Sequence, residues 1–250
     1  MSKISRCVTE LSSVLELRKA IEDNCHQVLR ETFAQHVFVG AIDPNRALIQ
    51  YSTKLYLCDT TKILQELLYQ FVIYNFQNLG FIKLSEGVSI YELAMMALNL
   101  PETGWTPEDG DKDELAKRIV EILIDNNAML LDYFSLEIDK DGNLCSLPLL
   151  LDNYVPDVAG LPMYIIRLAT EVTWETEKEC FTTFAEETAK YYAKVSPNSK
   201  FENYDWKWII EHVIYPAIKD FFIPPKEFTE NAAILEIANL PNLYKVFERC

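Results

Sequence analysis

The stretch HVFVGAIDPNRALIQYSTKLYLCDTTKILQELLYQ, residues 36–70, decides the fold class. Its first part alternates β-branched and aromatic residues on both sides of a Pro-Asn turn, a pattern that predicts paired strands. From Ile63 onward apolar residues recur at spacings of three and four, with Asp59 or Thr60 available as N-cap, and this predicts a helix. A strand that runs directly into a helix indicates a mixed α/β (α+β) protein.

Helices are predicted on both sides of this stretch. Residues 13–35 carry an amphipathic pattern that begins at a capping box of Ser13 and Glu16. Ser89 and Glu92 form a second capping box before a helix that Pro101 ends. A third helix carries an apolar stripe from Leu115 to Tyr133.

The rest of the chain gives weaker signals. Asp141-Gly142 supplies the positive φ angles of a tight hairpin turn. The run of Ile residues and the Gly-Leu-Pro entry favour a strand over 161–172. Helices are predicted near 175–193 and 206–221, and a strand in ILEIANL, residues 234–240. The short elements of 79–157 indicate a smaller lobe inside a larger body made of 1–78 and 158–250.

Composition excludes several classes of protein. A formal charge of -15 and a pI near 4.7 repel phosphate, so tight autonomous binding to a nucleic-acid backbone is not expected. No apolar run has the length of a membrane span, and the polar start is not a secretory signal. Six scattered cysteines without a C-x-x-C pair are interpreted as reduced thiols of the cytosol or nucleus.

The common catalytic signatures are absent. The chain has no dinucleotide, P-loop, serine-hydrolase or zinc-protease motif. Of the three histidines, His26 is expected at the edge of the core beside a buried Cys25, His36 at a helix end where a cation is favoured, and His212 in packing. The acidic runs WETEKEC and FAEETAK are interpreted as solvated helix faces.

The last residue is chemically unusual, because Cys250 carries a thiol and an α-carboxylate on one Cα. A thiolate is a good zinc ligand, and Arg249 would favour the deprotonated form. One cysteine cannot make a site, and the sequence shows no cluster that supplies the other ligands. Cys250 is therefore either packing or a ligand in a site that another chain completes.

Four segments together resemble one family. They read VFVGAIDPNRALIQYSTKLYLCDTTKILQELLYQ from residue 37, YFSLEIDKDGNLCSLPLLLDNYVP from residue 133, LPMYIIRLATEVTW from residue 161 and IANLPNLYKVFERC from residue 237. In order, spacing and F-E-R-C ending they resemble the C-terminal domain of eukaryotic MutL homologue 1, over residues 13–250. The ATPase domain of that family is not part of this sequence.

The resemblance implies a dimerisation lobe (1–78 and 158–250), an external lobe (79–157) and constitutive pairing with a MutL paralogue in nuclear DNA mismatch repair. The paralogue nicks the strand after a MutS-type protein has found the error. Nicking paralogues carry the metal-binding motif D-Q-H-A-x-x-E-x-x-x-x-E, whereas the matching junction here keeps Asp59 and Glu66 as residue types and has no histidine. The domain is thus expected to be no enzyme by itself and to have no cofactor of its own.

Two sites follow from the same resemblance. The tail would enter the partner's metal site, with Phe247, Glu248 and Arg249 as anchors and Cys250 as a ligand of a shared zinc ion. Arg167 and Glu177, in RLATEVTWETE, would dock short motifs of repair proteins such as exonuclease 1. An ordinary surface ion pair, or two unrelated solvated charges, is the alternative for Arg167 and Glu177.

Two other functions remain as alternatives to the heterodimerisation domain. One is an adaptor that binds peptides through residues 167–177 and takes no part in nicking. The other is an autonomous metal-dependent hydrolase that uses Asp59, Glu66 and Cys250. No membrane contact is expected, and the heterodimerisation domain is expected to contact DNA only indirectly.

Overall fold

The structure is a computed structural model that describes residues 6–197, 200–201 and 204–242. Contacts divide the chain into two compact units. Unit 1 comprises the described parts of Met1–Leu17, Phe71–Leu150 and Asp157–Tyr191, and unit 2 those of Arg18–Gln70, Leu151–Pro156 and Tyr192–Cys250. The mixed α/β class predicted from the sequence is confirmed.

Unit 2 is built around a four-stranded antiparallel sheet. Its strands, in spatial order, are β1 (Val37–Asp43), β2 (Arg46–Tyr51), β3 (Lys54–Asp59) and β9 (Ile234–Asn239). Its helices are the second part of α1 (Ser12–Asp23), α2 (Gln27–Gln35), most of α3 (Thr60–Tyr74), α9 (Trp206–Ile209), a π-helical turn at Ile210–Ile214 and α10 (Tyr215–Phe221). A short hairpin joins β7 (Lys200–Phe201) and β8 (Tyr204–Asp205).

Unit 1 combines a three-stranded antiparallel sheet with helices. The strands, in spatial order, are β4 (Gly80–Ser89), β6 (Asn143–Leu149) and β5 (Glu137–Ile138). The helices are α4 (Ile90–Leu98), α5 (Lys112–Asp125), α6 (Asn127–Phe134), α7 (Leu161–Thr170) and α8 (Glu177–Tyr192). An aromatic cluster fills the core, with Phe134 stacked on Phe184 at 4.1 Å between ring centroids.

The long helix predicted over 13–35 is two helices. The chain breaks at Asn24–His26, where the His26 N–H donates to the Pro224 carbonyl (2.8 Å) and the Asn24 carbonyl accepts from the Lys226 N–H (3.1 Å). These bonds to a distant segment replace helical ones, and local periodicity cannot reveal them. Ser13 lies inside α1 and donates to Glu177 at 2.5 Å, so it is not the predicted cap.

Two other predicted elements are interrupted. The helix expected up to Tyr133 ends at Asn126, whose side chain caps the Ile122 carbonyl, and a new helix follows. The second strand of the predicted pair turns at Ser52, which has φ +53°, and so becomes β2 and β3. The predicted strand ILEIANL is confirmed as β9, and Ser89 caps α4 as expected.

The strand prediction for 161–172 was wrong, because this segment contains helix α7. Proline is favoured in the first turn of a helix, so Pro162 in the Gly-Leu-Pro entry marks a helix start. Buried Leu161, Ile165 and Leu168 recur at helical spacing. At the hairpin, Gly142 has φ +78° as predicted, whereas Asp141 does not have a positive φ.

The expected external lobe, 79–157, stays a prediction, and the two compact units have other bounds. Helices α7 and α8 group with Phe71–Leu150 in unit 1. The assignment of dimerisation and external roles to the two parts remains a prediction. No helix within the described ranges has the length and apolar character to cross a bilayer.

Four residues of unit 2 bear on the histidine predictions. Cys25 is buried as predicted, and His26 is the N-cap of α2, accepting from the Leu29 N–H at 3.2 Å. His36 is only 3% exposed, and its Nδ1 lies 2.5 Å from the Phe33 carbonyl. Burial lowers the pKa of His36, so the expectation of a cation at this helix end was wrong. His212, by contrast, is exposed and stacks on Trp208.

Candidate functional site

The four-stranded sheet of unit 2 has one face that is closed by the core. Ala41, Ala47, Cys58 and Ile234 are paired across the four strands in one row. Ala47 and Cys58 are fully buried, and Ile234 is 8% exposed. Since successive residues of a strand point to opposite faces, the next row lies on the other side of the sheet.

We call this other side the outer face. Two paired rows on it are uncharged, namely Gly40, Leu48, Leu57 and Leu235, and then Val37, Gln50, Leu55 and Ala238. A third row on the same side, Asp43, Arg46 and Asp59, is charged. On the edge strands, Val37 is 63% and Leu235 46% exposed. An exposed apolar sheet face of this kind is typical of a protein interface.

Irregularities in both edge strands enlarge the apolar surface. Register shifts interrupt the pairing of β1 at Val39 and of β9 at Ile237, and both residues are at least half exposed. Leu240 follows β9, donates its N–H to the Thr53 carbonyl (3.0 Å) and is 45% exposed. It borders a cavity of about 250 Å³ between β3 and β9 that also contains Leu55. This cavity could receive a side chain of a bound partner.

A buried polar group lies at the end of β3, where the chain enters α3. The Thr60 Oγ1 and the Tyr215 hydroxyl are 3.2 Å apart and both residues are fully or nearly fully buried. Burial raises the pKa of the adjacent Cys58 to about 12, with an opposing contribution from a hydrogen bond to Tyr215. A thiol with such a pKa is protonated at neutral pH and is not a nucleophile.

Hydrogen bonds and an ion pair hold the junction that matches the nuclease motif. Asp59 caps α3 by accepting from the Lys62 N–H (3.0 Å), and the Lys62 ammonium lies 3.6 Å from the other oxygen of Asp59. Lys62 also donates to the Asn231 carbonyl at 2.9 Å. Counting from Asp59, the two glutamates of the motif fall on Gln65 and Gln70, so Glu66 is one residue out of register.

Gln70 has a defined structural role. It is 3% exposed, and its amide accepts from the Ile223 N–H (3.1 Å) while donating to the Ile223 carbonyl (2.7 Å) and to Glu66 (2.9 Å). Over residues 6–197, 200–201 and 204–242 no three His, Cys, Asp or Glu side chains are grouped as a metal site. The junction residues therefore do not fit a metal ion.

The predicted docking residues do not pair with each other. Arg167 on α7 instead donates to Glu187 on α8 through Nε (2.5 Å) and Nη2 (3.0 Å). Lys190 adds a third contact to Glu187 at 2.6 Å. The Glu187 side chain is 4% exposed, so FAEETAK is not a purely solvated face. Burial alone would raise the pKa of Glu187, but the hydrogen bonds from Arg167 and Lys190 hold it below its usual value.

Glu177 lies at the first position of α8 and is exposed. Its carboxylate accepts from the Ser13 hydroxyl at 2.5 Å, and the adjacent Lys178 pairs with Glu16 of α1 at 2.7 Å. The start of α8 is thus tied to α1. Arg167 also borders a separate cleft of about 560 Å³ between α4, α5 and α7, which Glu177 does not line.

The predicted tail residues Phe247, Glu248, Arg249 and Cys250 lie outside the described residues. The outer face, by contrast, is a candidate site whose individual residues the sequence did not single out. One signal was available in β2, where neighbouring Leu48 and Ile49 are both apolar although adjacent residues face opposite sides. Strands that are apolar on both faces indicate a sheet covered on both sides.

Comparison with known proteins shows similarity to one protein family over nearly the whole chain. The family described as "DNA mismatch repair protein Mlh1 C-terminus" matches residues 10–250. The "DNA mismatch repair protein Mlh1" of Dictyostelium discoideum is 39% identical over 96% of this chain and 30% of its own length. The "DNA mismatch repair protein MLH1" of Saccharomyces cerevisiae is 35% identical over 98% of this chain and 34% of its own length.

The chain thus spans about a third of the length of these curated relatives. The family that it matches is described as the C-terminus of Mlh1. The resemblance identified from the four sequence segments is confirmed. This chain belongs to the Mlh1 C-terminal family, the C-terminal domain of a MutL homologue of DNA mismatch repair.

Proposed function

We propose that this domain forms a heterodimer by binding the C-terminal domain of a MutL paralogue through its outer face. The observation that carries the proposal is the exposed surface of the two uncharged rows on β1 to β3 and β9. Leu235 and Val37 mark its two edges. An obligate interface of this type buries roughly 2,000 Å² or more, so the partner would cover most of the sheet.

The chain would be the non-catalytic subunit of the pair. Its junction carries the Lys62 ammonium beside Asp59 and the amide of Gln70 at the second glutamate position. A cation and a neutral amide are poor surroundings for a metal ion. This arrangement disfavours the alternative of an autonomous hydrolase that uses Asp59 and Glu66. Nicking would therefore depend on the motif of the paralogue.

The tail would contribute to the partner's site. Residues 243–250 continue the chain beyond β9, and eight extended residues reach at most about 29 Å. Phe247, Glu248 and Arg249 would anchor this tail, and the Cys250 thiolate would be a zinc ligand in trans. The remaining ligands would come from the paralogue. Bound zinc would supply a Lewis acid for phosphodiester hydrolysis.

Docking of repair proteins would use the surface at the start of α8. Glu177 is exposed there and could accept a basic group of a short motif from an exonuclease 1-type protein. Arg167 would support this surface by holding α7 against α8 through Glu187. The complete protein would act in the nucleus with a MutS-type complex and would contact DNA only indirectly.

Co-purification with the C-terminal domain of a nicking paralogue tests the proposal. We expect a stable one-to-one complex. A chain that stays monomeric and binds no MutL paralogue would contradict it. If the complex forms but removal of Cys250 changes neither metal content nor nicking, the adaptor alternative is favoured.

A further inference from the structure

The segment between α10 and β9, residues 222–233, is held by hydrogen bonds of its main chain to other parts of unit 2. We call this segment the strap. At its start, the Pro224 carbonyl accepts from the His26 N–H. Lys226 contacts the break between α1 and α2 twice. Its N–H donates to the Asn24 carbonyl, and its ammonium donates to the Asp23 carbonyl at 2.9 Å. Asn24 also donates to the Glu227 carboxylate at 3.0 Å.

The end of the strap is held at the start of α3. Lys62 donates to the Asn231 carbonyl, and the Asp59 N–H donates to the Ala233 carbonyl at 2.9 Å. Ile234, the next residue, then begins β9 by pairing with Cys58. Two residues of the junction therefore hold the strap directly before β9 begins.

Gln70 is the third junction residue in contact with the strap, and it is the most deeply buried. Both ends of its amide bond the N–H and the carbonyl of the same residue, Ile223. A carboxylate has no hydrogen to donate, so a glutamate at this position would leave the buried Ile223 carbonyl without this bond. The amide chemistry at this motif position is thus matched to the strap.

We infer that Gln70 is a positioning residue whose amide fixes the strap and, through it, the β9 edge of the outer face. The positions at which nicking paralogues carry metal ligands would here anchor the polypeptide that leads to β9. The effect on partner binding rests on the proposed function. The anchoring itself is a property of the isolated chain and can be tested without a partner.

Gln70→Glu is the informative variant, because it keeps the size and the acceptor and removes the donor. Gln65→Glu is a matched control on the same helix, since Gln65 is partly exposed and makes no hydrogen bond or ion pair within the described structure. Hydrogen exchange of the strap and β9 amides, measured by mass spectrometry, reports the anchoring. At pH 7 we expect exchange about ten-fold faster in Gln70→Glu than in the wild-type chain, with Gln65→Glu unchanged.

A pH series separates positioning from general destabilisation. Burial and the neighbouring Glu66 would raise the pKa of the introduced carboxyl group, and its protonated form regains a donor for the Ile223 carbonyl. We therefore expect the ratio of variant to wild-type exchange in the strap to fall towards one as the pH is lowered from 7 to 5.

Two results would overturn the inference. One is strap exchange in Gln70→Glu equal to that of Gln65→Glu at pH 7. The other is an equal acceleration in β1 and β2, which would make Gln70 a general core contact. With a paralogue domain, Gln70→Glu should weaken binding about five-fold. Failure of the wild-type chain to bind would count against the proposed function alone.

Discussion

Leu57 of β3 pairs with Leu235 of β9 on the outer face, one residue away from the buried pair Cys58 and Ile234. A single step along each strand thus leads from the core to an exposed apolar surface. Sheet faces in contact with water are normally polar, so exposing the row of Leu57 and Leu235 to water is unfavourable for an isolated domain. A partner that covers Leu57 and Leu235 would remove this cost.

The stability of unit 2 should depend on pH through His36. Burial is the main cause of its lowered pKa, with a smaller contribution from the charge of Lys219 and an opposing hydrogen bond to Phe33. The folded protein therefore takes up a proton less readily than the unfolded chain. The contribution of neutral His36 to the free energy of unfolding is fully present above pH 6.5. It is lost as the pH falls below 6.5, by at most about 1.4 kcal/mol per pH unit.

Thermal unfolding between pH 7.5 and 5 measures this effect. Gln in place of His36 cannot titrate but can still donate to the Phe33 carbonyl, so we expect His36→Gln to show a flatter pH dependence. Carboxylates with lowered pKa, such as Asp43 and Asp139, titrate in a more acidic range and do not obscure it. Identical slopes for both proteins above pH 5 would refute the role of His36.

Arg167 should matter for stability because its partner Glu187 is buried. Replacing Arg167 by Gln removes a paired guanidinium and leaves Lys190 as the remaining cation on this carboxylate. We expect a loss of about 1–3 kcal/mol in the free energy of unfolding, measured by urea denaturation. Exposed Arg30→Gln is the control, since its ion pair with Glu22 lies at the surface and should contribute less than about 1 kcal/mol. Equal effects would contradict the assignment.

Glu177 should affect docking without affecting the fold. It is exposed and forms one side-chain contact to Ser13, so Glu177→Gln should change stability by about 0.5 kcal/mol or less. Binding of a motif peptide from an exonuclease 1-type protein should weaken roughly ten-fold if the carboxylate receives a basic group. Unchanged peptide affinity in Glu177→Gln would remove this residue from the docking site.

Cys250 should affect metal content in the heterodimer and not its assembly. Deleting the residue, or replacing it by Ser, removes a thiolate and leaves the outer face unchanged. We expect the purified complex to lose bound zinc, measured by elemental analysis, together with nicking of supercoiled DNA. Retention of zinc by both variants would show that the tail is only interface packing.

The sequence was sufficient where local patterns determine the structure. The strand-to-helix junction at Asp59 and Thr60, the start of α4 at Ser89, the turn at Gly142 and the strand β9 were all predicted from spacing and capping residues. The break at Asn24 was not, because its hydrogen bonds come from a segment about 200 residues away. Helix α7 was missed because β-branched Ile165 and Ile166 suit a strand as well as a buried helix.

For the candidate sites too, some features could be predicted from the sequence and others required the fold. The absence of a histidine at the junction could be read directly from the sequence, whereas the contacts of Lys62 and Gln70 to the strap required the fold. The partner of Arg167 is twenty residues away on the next helix, so neither its pairing nor the burial of Glu187 follows from a motif. The apolar pair Leu48 and Ile49 hinted at a second covered face, but the residues of the outer face could be assigned only from the strand register.

The most direct test of the proposed dimer interface compares two lysine substitutions at exposed apolar residues. Leu235 lies on the outer face and is 46% exposed, whereas Val158 lies in unit 1 and is 68% exposed. Affinity for the C-terminal domain of a nicking paralogue would be measured by calorimetry for Leu235→Lys, Val158→Lys and the wild-type chain. We expect Leu235→Lys to weaken binding by at least about 30-fold, or ~2 kcal/mol, and Val158→Lys to bind like the wild type. Full affinity of Leu235→Lys would show that the outer face is not the dimer interface.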